Sequence, residues 1–107
     1  MKEMQKEAYK TAVKRNQWEK GIDAAKLSLY EEVSEFSKAD ELSNTRLDDY
    51  VELKKKIGLQ AAYEFQIAGT QPDELADVVI CAMSTAEYLG IDLLSAVKLK
   101  MEYNKVR

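Results

Sequence analysis

The sequence contains no histidine, a single cysteine, one proline and four glycines among its 107 residues. Without histidine, catalysis by a Ser-His or Cys-His pair is excluded, and so are the common zinc sites, which need histidine or several cysteines. A lone cysteine, Cys81, cannot form a disulfide within one chain, and we interpret it as a small buried hydrophobe in a reducing compartment. Carboxylates therefore remain the candidate ligands, and such hard oxygen donors favour Mg²⁺, Mn²⁺ or Ca²⁺.

An excess of positive charge and a long apolar run are also lacking. The formal net charge is -3, so there is no general electrostatic attraction to nucleic acid. No apolar stretch reaches membrane-spanning length, and the segment from Met1 to Lys20 is charged throughout, unlike a signal peptide. We therefore expect a cytoplasmic protein with neither a nucleic acid nor a membrane as its partner.

The residues that are present favour helices. Hydrophobic residues make up 46% of the chain and charged residues 33%, a composition typical of a helical globular protein. Apolar residues recur at intervals of three or four, which predicts successive helices. Their approximate ranges are 2–20, 23–41, 50–68 after a polar break at 43–45, 71–89 and from residue 93 onward.

Glycines and short polar segments divide these helices. Gly58 weakens the third segment, which we interpret as one helix or two short ones. Thr70 is the predicted N-cap of the fourth helix and Asp92 that of the last. The short connection 90–92 predicts that the last two helices pack as an antiparallel hairpin. The fold class is all-α, a four- to five-helix bundle in a single domain, 1–107, and at this length we expect oligomerisation to complete it.

Two acidic pairs share a spacing of three residues: Glu32 with Glu35, and Glu74 with Asp77. At that spacing each pair lies on one face of its helix. Asp77 is the only charge in the apolar segment 75–86, which we predict to be a core helix, where a carboxylate is costly unless a basic partner or a metal ion neutralises it. If all four acids converge, a divalent cation removes their repulsion. The alternative is independent surface acids and salt bridges, because Glu-x-x-Glu is common on solvated helices.

Lys100 and Asn104 lie one turn apart on the last predicted helix. One interpretation is a lysine whose stem covers apolar surface and a helix-terminal asparagine. The other is a phosphate clamp made of a point charge and an amide. The pattern alone leaves both open.

Four short motifs follow one another along the chain: Glu-Glu-Val-Ser-Glu at 31–35, Asp-Glu-Leu-Ala-Asp-Val-Val at 73–79, Gly-Ile-Asp at 90–92 and Lys-Met-Glu-Tyr-Asn at 100–104. In this order they resemble the MazG-type, all-α nucleoside triphosphate pyrophosphohydrolases, and the likeness extends from about residue 27 to 107. The resemblance implies hydrolysis of a nucleoside or deoxynucleoside triphosphate to the monophosphate and pyrophosphate. It also implies a homodimer or a homotetramer.

The resemblance assigns roles to individual residues. It implies that Lys100 and Asn104 contact phosphate, and that Mg²⁺, or Mn²⁺, is held by Glu32, Glu35, Glu74 and Asp77. A carboxylate that the metal does not saturate, Glu35 or the neighbouring Glu31, orients or deprotonates the attacking water. The base needs an apolar or aromatic contact, for which the candidates are Trp18, which we prefer, Tyr30 and Tyr88.

Two departures and two rival functions accompany this assignment. The 38 residues of 36–73 exceed the spacing usual in compact members, so about 44–69 is predicted to be an insertion helix. Relatives often continue with a basic tail where this sequence ends, and we expect the substrate contacts of that tail to be missing or replaced. One rival function is a non-catalytic helical module that binds or regulates another protein. The other is hydrolysis of a different phosphoanhydride, such as a nucleotide alarmone.

Overall fold

A computed structural model describes residues 2–107 of the chain. Those residues form six α-helices, which confirms the all-α prediction: α1 (Lys2–Lys14), α2 (Gly21–Ser37), α3 (Asn44–Ile57), α4 (Leu59–Gln66), α5 (Gln71–Leu89) and α6 (Leu93–Val106). The number exceeds the predicted four or five because the third predicted segment is divided in two.

The chain divides into two compact units. The central unit is Tyr30–Val78, and the terminal unit combines the described residues up to Leu29 with Val79–Arg107. The segment predicted as an insertion, about 44–69, lies in the central unit. The two units are described separately below.

Helices α3 and α4 of the central unit pack against each other. The Ser43 side chain caps α3 by accepting a hydrogen bond from the backbone N–H of Arg46 at 3.1 Å. Gly58 separates the two helices with a φ of +89°, a conformation that disfavours residues with a Cβ. Its N–H still donates to the carbonyl of Lys54 at 3.0 Å, which closes the last turn of α3. The two-helix interpretation of this segment is thereby confirmed.

A short backbone bridge joins two loops of the central unit. The N–H of Asp40 donates to the carbonyl of Gly69 at 3.0 Å, and the N–H of Gln71 donates to the carbonyl of Asp40 at 2.7 Å. This pairing ends α2 at Ser37, before the predicted residue 41. Thr70 is fully buried, and its hydroxyl donates to the carbonyl of Ile67 at 2.6 Å, whereas we predicted that it would cap α5.

In the terminal unit, α1 ends at Lys14, well before the predicted residue 20. Asn16 adopts a left-handed φ of +61°, which asparagine tolerates better than most residues. The N–H of Asn16 then donates to the carbonyl of Val13, and the N–H of Gln17 donates to that of Ala12. This is the Schellman pattern, which satisfies the last carbonyls of a helix and stops it.

Gln5 connects α1 to the segment between α5 and α6. It is only 3% exposed. Its amide group donates to the carbonyl of Ile91 at 2.6 Å and to Oε1 of Glu87 at 3.3 Å. Its side-chain oxygen accepts from the N–H of Leu93 at 3.1 Å, so a buried residue of α1 satisfies a free donor at the start of α6.

The predicted antiparallel hairpin of the last two helices is wrong. The chain turns by 109° between α5 and α6, and α6 packs on α1 instead. The hydrogen bonds of Gln5 and the N-cap of Asp92, whose carboxylate accepts from the N–H of Ser95 at 3.3 Å, stabilise this direction. The predicted cap is confirmed. The length of a connection did not determine the angle of the helices that it joins.

The apolar segment 75–86 is only partly a core helix, which corrects the prediction. Met83, Ser84 and Ala86 are buried, whereas Leu75 and Ile80 are nearly half exposed within the chain. The described residues therefore leave much of the apolar surface of α5 uncovered. Within residues 2–107, no single helix is long and apolar enough to span a membrane, and the bent pair α5 and α6 satisfies that test only jointly and only by length and composition.

Candidate metal centre

Three carboxylates converge in the central unit. Glu32 of α2 and Glu74 and Asp77 of α5 each offer an oxygen atom, and these atoms lie within 4.8 Å of one another. All three side chains are of intermediate burial. Three of the four predicted metal ligands are thus brought together, and we call Glu32, Glu74 and Asp77 the carboxylate cluster.

The local structure explains how the cluster forms. Glu74 and Asp77 are three residues apart on α5, and that spacing puts them on one face. Glu32 lies near the end of α2, eight residues before Asp40. The backbone of Asp40 is hydrogen-bonded to Gly69 and Gln71, which lie five and three residues before Glu74 in the chain. The bridge therefore joins the segments that carry the ligands from both helices.

The electrostatics of the cluster are those of crowded negative charge. Partial burial raises the pKa of Glu32, and the charges of Asp77 and then Glu74 raise it further. The pKa of Glu74 is likewise raised, first by loss of solvent and then by Asp73, Asp77 and Glu35. Each ionised carboxylate therefore disfavours ionisation of its neighbours, and a bound cation reverses that preference.

Glu35 and Glu31 border the cluster without joining it. Both side chains are exposed, and neither has an oxygen in the group that converges within 4.8 Å. Their charges nevertheless contribute to the raised pKa of Glu32. Glu35, predicted as both a metal ligand and a catalytic residue, thus stands at the edge of the cluster together with Glu31.

Asp73 precedes the cluster in sequence, but its carboxylate is occupied elsewhere. The hydroxyl of Tyr63 donates to its Oδ1, and the backbone N–H of Gly69 donates to its Oδ2 at 2.9 Å. Burial raises the pKa of Tyr63, as do this hydrogen bond and the charges of Asp73 and Asp77. Sequence reasoning missed Tyr63, because nothing in the helical pattern of α4 marks one aromatic residue as the partner of an acid ten positions away.

Two ion pairs of the described part of the chain lie away from Glu32 and Glu74. Between residues 2 and 107, those observed join Lys2 to Asp92 at 3.8 Å and Lys55 to Glu52 at 3.5 Å. Neither pair includes Glu32 or Glu74. The alternative in which these two acids are neutralised by basic side chains is therefore not favoured.

The predicted substrate-binding residues lie in the terminal unit. Trp18 is partly buried, stacks on Tyr88 and donates its indole N–H to Oγ of Ser84 at 3.0 Å. Lys100 places its ammonium nitrogen 4.8 Å from the ring centroid of Tyr103, a cation–π contact. Asn104 is exposed in the last turn of α6.

Comparison of the chain with protein-family models, with curated proteins and with solved structures found no match.

Proposed function

We propose that this chain is a Mg²⁺-dependent hydrolase that converts a nucleoside or deoxynucleoside triphosphate to the monophosphate and pyrophosphate. The observation that carries the proposal is the convergence of Glu32, Glu74 and Asp77, with carboxylate oxygens within 4.8 Å of one another. These acids belong to the two motifs whose order along the chain resembles the MazG-type enzymes. The proposed reaction is taken from the resemblance, and the carboxylate cluster is the proposed site of that reaction.

The donor set fits the proposed ion. Carboxylate oxygens are hard ligands, which suit Mg²⁺ and Mn²⁺ and give no preference to softer metals. Mg²⁺ usually takes one or two carboxylates and keeps waters and phosphate oxygens in its other positions. Three partly exposed carboxylates leave room for such ligands. When bound, the ion neutralises phosphate charge and lowers the pKa of a coordinated water.

Glu35 and Glu31, at the edge of the cluster, are the candidates for activating the water that attacks the triphosphate. Glu35 and Glu31 are exposed, and their charges reach Glu32. A carboxylate in such a place can accept a proton from the attacking water while the three cluster acids hold their geometry. The water then attacks phosphorus in line with the oxygen that bridges the α- and β-phosphates, and cleavage of that bond releases the monophosphate and pyrophosphate. We assign this role to Glu35 or Glu31.

The terminal unit is assigned to substrate binding. Lys100 offers a point charge for a phosphate oxygen, and Asn104, one turn later, offers an amide. The indole of Trp18 is assigned to the base, because any nucleobase has a face on which an aromatic ring can stack. The roles of Lys100 and Asn104 come from the resemblance, whereas Trp18 is preferred because it is an aromatic residue a little upstream of the acidic helix α2.

A homodimer or a homotetramer is part of the proposal. Apolar residues of the last helix are largely exposed in one chain, among them Leu99 at 69% and Val106 at 82%. Apolar surface of this kind is what subunit contacts cover. Light scattering at several concentrations distinguishes a monomer from the proposed assemblies.

A metal-dependent melting experiment tests the site. The wild-type chain is expected to melt at a higher temperature in Mg²⁺ or Mn²⁺ than in chelator, because an ion that binds only the folded state stabilises it. Asp77→Asn is expected to lose that gain, whereas Glu7→Gln, an exposed acid of α1 outside the cluster, is expected to keep it. Equal melting of the wild type with and without metal contradicts the proposed site.

An assay for products then tests the reaction. A panel of nucleoside and deoxynucleoside triphosphates is incubated with the chain in Mg²⁺, and pyrophosphate is measured separately from phosphate. Release of pyrophosphate that Asp77→Asn abolishes supports the proposal. Cleavage of an alarmone alone favours the rival substrate class, and absence of any turnover with metal bound favours the non-catalytic module.

A further inference from the structure

We infer that Tyr63 is a positioning residue of the proposed metal site, which it orients through Asp73 and the loop before α5. This inference rests on the proposed function. It concerns a residue of α4 that carries none of the sequence motifs. Its hydroxyl donates to Oδ1 of Asp73, and Asp73 is the residue directly before the cluster acid Glu74.

The hydrogen bond of Tyr63 belongs to a connected set. The second oxygen of Asp73 accepts the N–H of Gly69 at 2.9 Å. The carbonyl of the same glycine accepts the N–H of Asp40 at 3.0 Å. Gly69 is thus held at both its backbone polar groups, by the first turn of α5 on one side and by the segment after α2 on the other. We call Tyr63, Asp73, Gly69 and Asp40 the clamp.

The clamp joins every segment that carries a cluster acid. Asp73 lies in the first turn of α5, which bears Glu74 and, one turn later, Asp77. Asp40 follows α2, which bears Glu32. A rotation of the first turn of α5 moves the carboxylate of Glu74, so the bonds that fix this turn also fix one ligand relative to the others. Outer groups that orient ligands in this way commonly change metal affinity by 10- to 100-fold when they are removed.

The clamp also separates Asp73 from the cluster. Both of its oxygens have donors, and it has no oxygen in the convergent group. Sequence spacing alone does not distinguish it from Glu74, because both acids lie in the first turn of α5. Tyr63 therefore helps to determine which of two adjacent acids, Asp73 or Glu74, would face a bound ion.

Tyr63→Phe tests the inference, with Tyr50→Phe as its matched control. Both changes remove one phenolic oxygen from the same aromatic pair, whose rings meet edge-on at 6.3 Å, but only the first removes the donor to Asp73. Calorimetric titration with Mn²⁺ is expected to give a dissociation constant about tenfold higher for Tyr63→Phe than for the wild type. Tyr50→Phe is expected to stay within about twofold of the wild type.

The kinetic readout separates positioning from loss of folded protein. Tyr63→Phe is expected to raise the Mg²⁺ concentration for half-maximal activity and to keep kcat at saturating Mg²⁺ close to the wild-type value. A purely structural role lowers the amount of active protein, which reduces kcat and leaves the metal dependence unchanged. If Tyr63→Phe does not fold, the Asp73→Asn variant is used in its place. The asparagine has one side-chain oxygen, which cannot accept from both Tyr63 and Gly69 as the two carboxylate oxygens of Asp73 do.

Hydrogen exchange supplies a test without metal. In chelator, the segment around Gly69 is expected to exchange faster in Tyr63→Phe than in the wild type or Tyr50→Phe. Unchanged exchange, or metal affinity that is equal or higher in Tyr63→Phe, overturns the inference and leaves the proposed function standing. A wild-type chain that binds neither Mn²⁺ nor Mg²⁺ overturns both.

Discussion

Trp18 and Tyr88 form a stacked pair, with ring centroids 4.1 Å apart and planes that differ by 8°. The indole N–H is also satisfied, because it donates to Oγ of Ser84 at 3.0 Å. One face of the indole is therefore covered within the chain. A nucleobase must use its remaining surface or displace Tyr88, so the assigned role of Trp18 has a measurable consequence.

The first prediction concerns Trp18 as the base contact. Since it is the only tryptophan, fluorescence reports on this residue alone, and a non-hydrolysable triphosphate with Mg²⁺ is expected to change the emission saturably. Trp18→Leu is expected to raise KM by the equivalent of about 1–3 kcal/mol of stacking, with little change in kcat. Ser84→Ala, which removes the hydrogen bond and keeps the ring, serves as the control. An unchanged KM in Trp18→Leu contradicts the role.

The second prediction concerns the buried amide of Gln5. Its replacement by Leu leaves the carbonyl of Ile91 and the N–H of Leu93 without their partner, and a buried polar group left unsatisfied costs about 1–3 kcal/mol. We expect Gln5→Leu to lower the free energy of unfolding by about 2 kcal/mol in urea titrations. The loss arises because two backbone groups lose their partners, while the leucine that replaces Gln5 is of similar size but apolar and offers no hydrogen bond.

The control for this change is another glutamine. Gln60 donates to Glu64 at 3.3 Å on the exposed surface of α4, where water can replace the lost bond. Gln60→Leu is therefore expected to change the free energy of unfolding by at most about 0.5 kcal/mol. Equal losses in the two variants contradict the structural role of Gln5.

Local sequence signals predicted those parts of the fold that neighbouring residues determine. The range of α5, 71–89, agrees with the prediction, because glycines flank it and its apolar pattern is continuous. The cap of α6 by Asp92 was predicted correctly for the same reason. The end of α1 was not predicted: the left-handed residue that stops this helix is Asn16 and not a glycine, and asparagine adopts that conformation only in some contexts.

The candidate site likewise has features that local sequence predicts and features that depend on contacts between distant residues. Spacing put Glu74 and Asp77 on one face of α5, and the convergence of Glu32 with them agrees with the sequence prediction. Spacing could not exclude Asp73 from the group, because its hydrogen bonds come from Tyr63 and Gly69, which precede the helix. Contacts between elements that are distant in sequence decide whether an acid such as Asp73 joins the cluster, and the spacing of residues along one helix does not reveal those contacts.

The third prediction concerns the N-cap of α6. Hydrogen bonds from the hydroxyl and then the N–H of Ser95 lower the pKa of Asp92, and Lys2 contributes as well. A carboxyl whose pKa is lower in the folded state stabilises the protein above its unfolded pKa, near the ordinary 3.8, and that stabilisation is lost as the pH falls through the folded pKa. Asp92→Ala is therefore expected to lower Tm more at pH 7 than at pH 3.

Asparagine at the same position separates the cap from its charge. Asp92→Asn keeps an acceptor for the N–H of Ser95, and asparagine is an effective N-cap. Its Tm at pH 7 is expected to fall between those of the wild type and Asp92→Ala. If Asp92→Asn and Asp92→Ala have the same Tm at every pH, the carboxylate of Asp92 does not cap α6 in solution.

The last prediction follows from the raised pKa of Glu32, whose causes are burial and the charges of Asp77 and its other acidic neighbours. Since the folded protein holds this proton more tightly than the unfolded chain, stability falls as the pH rises from the ordinary value of 4.5 through the folded pKa. In chelator at pH 7, Glu32→Gln is therefore expected to raise Tm by about 2–4 °C, a small effect because the group is partly exposed.

Two further conditions test the same variant. Below pH 4.5, the gain in Tm of Glu32→Gln over the wild type is expected to shrink, because the wild-type carboxyl is then protonated as well. In Mg²⁺ at pH 7 the order is expected to reverse, since the wild type gains a bound ion and the variant has lost a ligand. Glu64→Gln, outside the cluster, is expected to show neither effect. A Glu32→Gln variant that is less stable than the wild type in chelator at pH 7 contradicts the crowding of negative charge around Glu32.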